Sequence, residues 1–188
     1  MKVGINMEKE ILQLFSNIAE RDREIENESY RRLIKIMQEP VDWTYAVWEQ
    51  LIKALTYNNG HARARAAQFL CALAAKSDPE ERVLDDFLKI WAVTYDEKFV
   101  TARQALQAIW QIGLAGQVQR DLIVSYLAKR FQTCIDEKQY TLIRYDIIMS
   151  FKKLFDATND QNLLDIAKRL IEEEQDMKSK KKYKTAIR

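Results

Sequence analysis

One histidine, His61, and two cysteines, Cys71 and Cys134, are the chain's whole stock of imidazole and thiol side chains. A histidine-rich metal site is therefore excluded. The cysteines form no Cys-x-x-Cys pair of the kind zinc sites use. A Ser–His–Asp or Cys–His arrangement would have to use His61, and nothing beside it in sequence supports one. No Walker loop, Gly-x-Gly-x-x-Gly or Gly-x-Ser-x-Gly is present. Both cysteines fall in apolar helical patterns, which fits reduced, buried thiols in a cytoplasmic protein. His61 follows Asn58-Asn59-Gly60 and reads as a surface residue at a helix start. The expectation is a chain with no catalytic residue, no metal and no cofactor.

The residues that do recur are arginines. Arg63 is followed by Ala66, Ala67, Leu70 and Leu73; Arg103 by Leu106, Gln107, Trp110 and Gly113; Arg144 by Ile147, Ile148, Phe151 and Leu154. Each set has the same offsets, +3, +4, +7 and +10, and the arginines lie 40 and 41 residues apart. A period near 40 with two helices per unit is the mark of a helical-repeat array. The stretch of about 42–156 resembles the HEAT/armadillo-like repeat family. That resemblance implies an acidic residue about six positions ahead of the arginine, bonding across the stack. Glu97 precedes Arg103 by six and Glu137 precedes Arg144 by seven, whereas the first unit has Tyr57, Asn58 and Asn59 there. Arg63, Glu97, Arg103, Glu137 and Arg144 are thus expected to hold successive units together rather than to meet a ligand.

The elements that must position these residues are helices. Four glycines and two prolines leave little room for the turns of an all-β fold. Amphipathic spacing predicts helices over 7–19, around Tyr30–Met37, and over 42–56, 61–76, 98–114, 118–134, 139–156 and 160–178. Ser77-Asp78-Pro79-Glu80 reads as a capping box that opens another helix, running to about Tyr95 with Leu84, Phe87, Leu88 and Trp91 inward. The charged stretch from Glu20 to Glu28 reads as a solvated face or a helix junction, and Asn58-Asn59-Gly60 as the end of the helix before it. Trp91 and Trp110 fall on apolar stripes; Trp43 and Trp48 lie on a more mixed face. The expected architecture is all-α: a right-handed α-solenoid of antiparallel helix pairs, about eight helices in a single domain over 1–177. Capping helices at 7–39 and 160–177 flank the repeats, and a basic tail at 178–188 frays from the end.

Charge narrows the partner class. The net charge is +2, from 30 basic and 28 acidic residues. Six of the basic residues (Lys178, Lys180, Lys181, Lys182, Lys184 and Arg188) lie in the tail, where there is no acid, so the rest carries about −4. A body of that sign disfavours nucleic acid as a partner. No apolar run approaches the 18 residues a membrane helix needs, and MKVGIN lacks the apolar core of a signal peptide.

In a stack of this kind the second helices line the concave face. Arg65, Gln68, Gln104, Gln111, Tyr145, Met149, Lys152 and Lys153 are the off-core positions there. Amides and long aliphatic stems suit a protein or peptide surface, so the expected function is a non-catalytic interaction or scaffold module. The alternative is a DNA-binding or DNA-repair protein resembling the HEAT-like alkylpurine DNA glycosylases, in which Trp110, Tyr145 and Asp146 would serve. The pattern leaves the oligomeric state open.

Overall fold

The computed structural model describes the backbone of residues 2–18 and 23–188 and the side chains of 9–18 and 23–188. Among the described residues the fold is all-helical. Ten α-helices run in order: α1 (Lys2–Asn17), α2 (Arg23–Ile36), α3 (Thr44–Ala54), α4 (Gly60–Lys76), α5 (Arg82–Ala92), α6 (Phe99–Leu106), α7 (Gln117–Thr133), α8 (Tyr140–Thr158), α9 (Gln161–Glu173) and α10 (Met177–Ala186). Two 3-10 segments, Val93–Tyr95 and Ile109–Leu114, extend α5 and α6. Consecutive helices pair: α1 with α2, α3 with α4, α5 with α6, α7 with α8, α8 with α9. The helices α2, α4, α6, α8 and α10 also touch one another in chain order. The middle of this row is α4, with Ala64, Ala66, Ala67, Ala72 and Ala74 all buried. Small side chains there admit neighbours on several sides.

Local chemistry departs from the predicted boundaries in four places. Asn59 does not close α3; its side chain accepts from the His61 amide at 2.9 Å and so caps α4. Gly60 is required by close approach, because a Cβ there would stand 2.6 Å from Thr101 Oγ1. Ser77 is not a helix start either, since its hydroxyl accepts from the Val41 amide at 3.0 Å. Asp78 does the capping, accepting from the Arg82 and Val83 amides at 3.0 and 2.8 Å. With the helix starting at Arg82, the inward face becomes Val83, Phe87, Ile90 and Trp91, and Leu88 is 63% exposed. The expected helix over 98–114 tightens after Leu106. The 3-10 spacing places Ile109 and Ile112 on one eclipsed row, both buried, with Gly113 against Leu154.

The fourth departure adds a last helix, and the described residues hold ten where about eight are expected. The basic segment at 178–188 is not frayed. Glu174 leaves α9 in an extended conformation and turns inward, and Asp176 caps a new helix by accepting from the Ser179 amide at 2.7 Å. Tyr183 is fully buried, donates its hydroxyl to the Thr141 carbonyl at 2.6 Å, and lies edge-on to Phe131. At the other end α1 also starts earlier than expected, at Lys2, and Arg23–Glu28 belong to α2 rather than to a junction. Positions 19–22, including the start of the expected junction, lie outside the described residues. Trp43 and Trp48 are both buried, and the Trp48 indole donates to Asp86 at 2.9 Å.

Candidate functional site

The recurrent arginines meet carboxylates from later in the chain. Arg63 on α4 forks onto Asp96 at 2.5 and 2.8 Å, ahead of α6. Arg103 on α6 forks onto Asp146 of α8 at 2.6 and 2.8 Å, and Gln107 adds a bond to the same carboxylate at 3.0 Å. Arg144 on α8 donates to Glu174 at 3.1 Å and to the Phe131 carbonyl at 3.0 Å. The Arg63 fork holds the Asp96 carboxyl below its usual range, against the opposing pull of burial. Burial is the largest single influence on Arg144 and would lower it, but the bond and charge of Glu174, with Cys134, together turn the net shift upward.

Neither expected glutamate fills the role assigned to it. Glu97 is largely exposed and stands 3.9 Å from Arg63 rather than near Arg103. Glu137 pairs with Arg130, a buried arginine that also donates to the Thr94 carbonyl and lies over the Tyr95 ring. Geometry explains the difference. Asp96, beside Glu97 on the same loop, has 6% of its side chain exposed against 81% for Glu97, and Glu137 is taken up by Arg130. Arg130 had no signal in the repeat, since it lies on a first helix at no fixed offset from the others.

Of the eight positions expected on the second-helix face, Arg65 stands apart. It is 4% exposed and turned toward α2, bonding Glu26 at 2.9 Å and Asn27 at 2.9 Å, with its guanidinium over the Tyr30 ring. Burial lowers its pKa, with Glu26 and Tyr30 opposing. The other seven are half-buried. Lys152 pairs with Asp156 at 2.6 Å, Lys153 lies over the Trp110 ring, and Tyr145 has the Lys182 ammonium above it. Among the described residues, Gln68, Gln104 and Gln111 have no hydrogen-bond partner, whereas Gln107 and Gln119 are each bonded to a carboxylate. Asp146, the acid of the DNA-repair alternative, is 3% exposed with its oxygens held by Arg103 and Gln107.

At the N-terminal end of this row, between the α1–α2 and α3–α4 hairpins, lies a cavity of about 690 Å³. Phe15, Leu51, Ala66 and Phe69 supply its apolar lining; Glu26, Asn27, His61 and Arg65 supply its polar one. Its volume falls in the range of small-ligand and side-chain pockets. His61 stands 3.2 Å from Glu26; burial and the Arg65 charge lower its pKa, and Glu26 only partly offsets them. Sequence reasoning missed this cavity because α2, which closes one side of it, had been read in part as a junction.

Both cysteines are free and buried, and burial pushes their thiol pKa values up. Among the described residues no helix is long and apolar enough to cross a membrane. Protein-family models give no match to the chain, and curated proteins give none. Two solved structures are similar to it, both crystal structures of engineered proteins from the Northeast Structural Genomics Consortium. The first has 17% identity and a TM-score of 0.48, covering 86% of this chain and 46% of that one. The second has 14% identity and a TM-score of 0.49, covering 95% of this chain and 94% of that one. The chain thus spans less than half the length of the first and nearly all of the second.

Proposed function

We propose that the chain is a short right-handed α-solenoid of HEAT-like helix pairs and serves as a non-catalytic scaffold, holding a protein or peptide segment on the face of its second helices. The packing order supports the solenoid part: hairpins follow one another, and α2, α4, α6, α8 and α10 touch in sequence. Two arginine forks tie α4 to Asp96 and α6 to α8, and a single arginine–glutamate bond ties α8 to Glu174. Units of this kind bury their apolar stripes only against neighbours, so ties between neighbours suit the architecture. Two buried free thiols suit a cytoplasmic setting.

The single observation that carries the binding part is the trio Gln68, Gln104 and Gln111. They are half-buried on three successive stretches of the second-helix row and have no partner among the described residues. Their amide groups still reach solvent, since Arg130 Nε is the one buried side-chain polar atom without a partner among the described residues, and an incoming backbone can supply both a donor and an acceptor to them.

Selection from a random dodecapeptide library, followed by affinity measurement on the Gln68→Ala/Gln104→Ala/Gln111→Ala variant, tests this. The expected result is a selected peptide whose affinity falls at least tenfold in the triple variant while the melting temperature is unchanged. Peptides that bind the triple variant as tightly as the parent would sink the proposal.

A further inference from the structure

Folding of the lysine-rich end into α10 sorts its cations by face. Lys180 and Lys184, one turn apart, both reach Glu172 of α9, at 3.0 and 2.7 Å. Tyr183 points into α8. Lys178, Lys181 and Lys182 share the remaining face at the i, i+3, i+4 spacing of helix neighbours, and all three are exposed. Among the described residues none of the three makes an ion pair. Lys182 lies with its ammonium 4.1 Å from the centroid of the Tyr145 ring. Lys178 acts on Asp176 only through space, lowering its pKa less than Ser179 does, and the Asp176 side chain is already committed to capping α10. Two turns beyond Tyr145 on α8, Lys153 adds a further cation over Trp110.

We infer that this face is a docking surface for a short acidic segment of a partner protein. Charge complementarity selects the sign, and the dimensions select the class. From Lys178 to Lys182 the cationic face extends about 6 Å along the helix. A duplex nucleic acid carries a charge about every 1.7 Å along its axis and would run past this face at once. The chain outside the lysine-rich segment is about −4. That body repels a long polyanion, whereas a run of a few carboxylates needs only the lysine face. The surface shares only Tyr145 and Lys153 with the amide row, and it stands or falls separately.

The test is fluorescence anisotropy of the full chain with a labelled octaglutamate peptide at low salt, alongside a 20-base-pair DNA duplex. Saturable binding of octaglutamate is expected. It should weaken at least tenfold in Lys178→Gln/Lys181→Gln/Lys182→Gln and less than twofold in Lys180→Gln/Lys184→Gln, whose charges are already used by Glu172. Absence of saturable octaglutamate binding overturns the inference. So does an equal loss in both sets of variants, which would mean that total charge and not this face is read. Tighter binding of the duplex than of the peptide overturns it in favour of nucleic acid. Circular dichroism melting of the triple variant, whose substituted lysines are exposed, keeps a folding defect distinguishable from a lost contact.

Discussion

The two ends of the molecule meet the same demand in different ways. An outermost helix pair has one face with no neighbouring unit to cover it. At the C-terminal end the chain folds back: α10 sets the fully buried Tyr183 against α8, and Glu174 is drawn in to Arg144 with no exposed side-chain surface. At the N-terminal end the α1–α2 hairpin docks through Phe15 and Tyr30 onto Phe69, and a cavity of about 690 Å³ remains beside these rings. The ion pair there, Arg65 with Glu26, has a substitute at hand, because Asn27 and the Glu26 carbonyl also bond the guanidinium. Without its carboxylate, Arg144 keeps one neutral hydrogen bond, to the Phe131 carbonyl, whereas Arg65 keeps two, to Asn27 and the Glu26 carbonyl. The same type of contact should therefore be worth different amounts at the two ends.

The largest contrast is expected from carboxylate removal. Glu174→Ala leaves the buried Arg144 with no carboxylate and with the Phe131 carbonyl as its one remaining acceptor, and breaking a buried pair in this way costs about 3–5 kcal/mol. Urea denaturation should show it as a large fall in the midpoint. Glu26→Ala should cost about 1–2 kcal/mol, since the remaining partners of Arg65 keep it from being left unsatisfied. Equal losses at the two sites would break the comparison.

How much of this was legible in the sequence follows from which signals are periodic. The arginines repeat at 40 and 41 residues, and the helix pattern around them predicts most elements. Their partners lie 33, 43 and 30 residues further on, so no fixed offset marks Asp96, Asp146 and Glu174. Along α5, Leu84, Phe87, Leu88 and Trp91 and the observed Val83, Phe87, Ile90 and Trp91 are adjacent stripes of one helix. The Asp78 cap, a tertiary detail, decides between them. The run of lysines masked the single apolar residue that matters at the C-terminal end, Tyr183. Arg65 looked like a surface residue because its partner Glu26 sits in a stretch so charged that it read as solvated.

Smaller effects come from pH. Between the ends, Asp96 has its pKa lowered by Arg63. A carboxylate with a lowered folded pKa contributes stability that is complete above its unfolded value, near 3.8, and lost as pH falls through the folded value. The stability gap between the parent and Asp96→Asn should therefore stay constant from about pH 7 down to about pH 5 and close in stronger acid. A gap independent of pH down to acid unfolding would show that the carboxylate charge adds nothing.

The smallest effect belongs to the N-terminal end alone, which holds the single histidine. His61 has a lowered pKa, so the unfolded chain takes up its proton first. Stability should decline slightly as pH falls below the unfolded value of 6.5, and His61→Gln should abolish that decline. A decline that persists in His61→Gln would place the titrating group elsewhere.

The central claim is that the second-helix row is the partner-binding face. Hydrogen–deuterium exchange on the full chain, with and without a peptide selected for binding, reads this out along all ten helices. The account predicts added protection around Gln68, Gln104 and Gln111 on α4, α6 and the 3-10 segment after it, with α5 and α7 unchanged. Protection confined to the outer surfaces of α5 and α7 would contradict it.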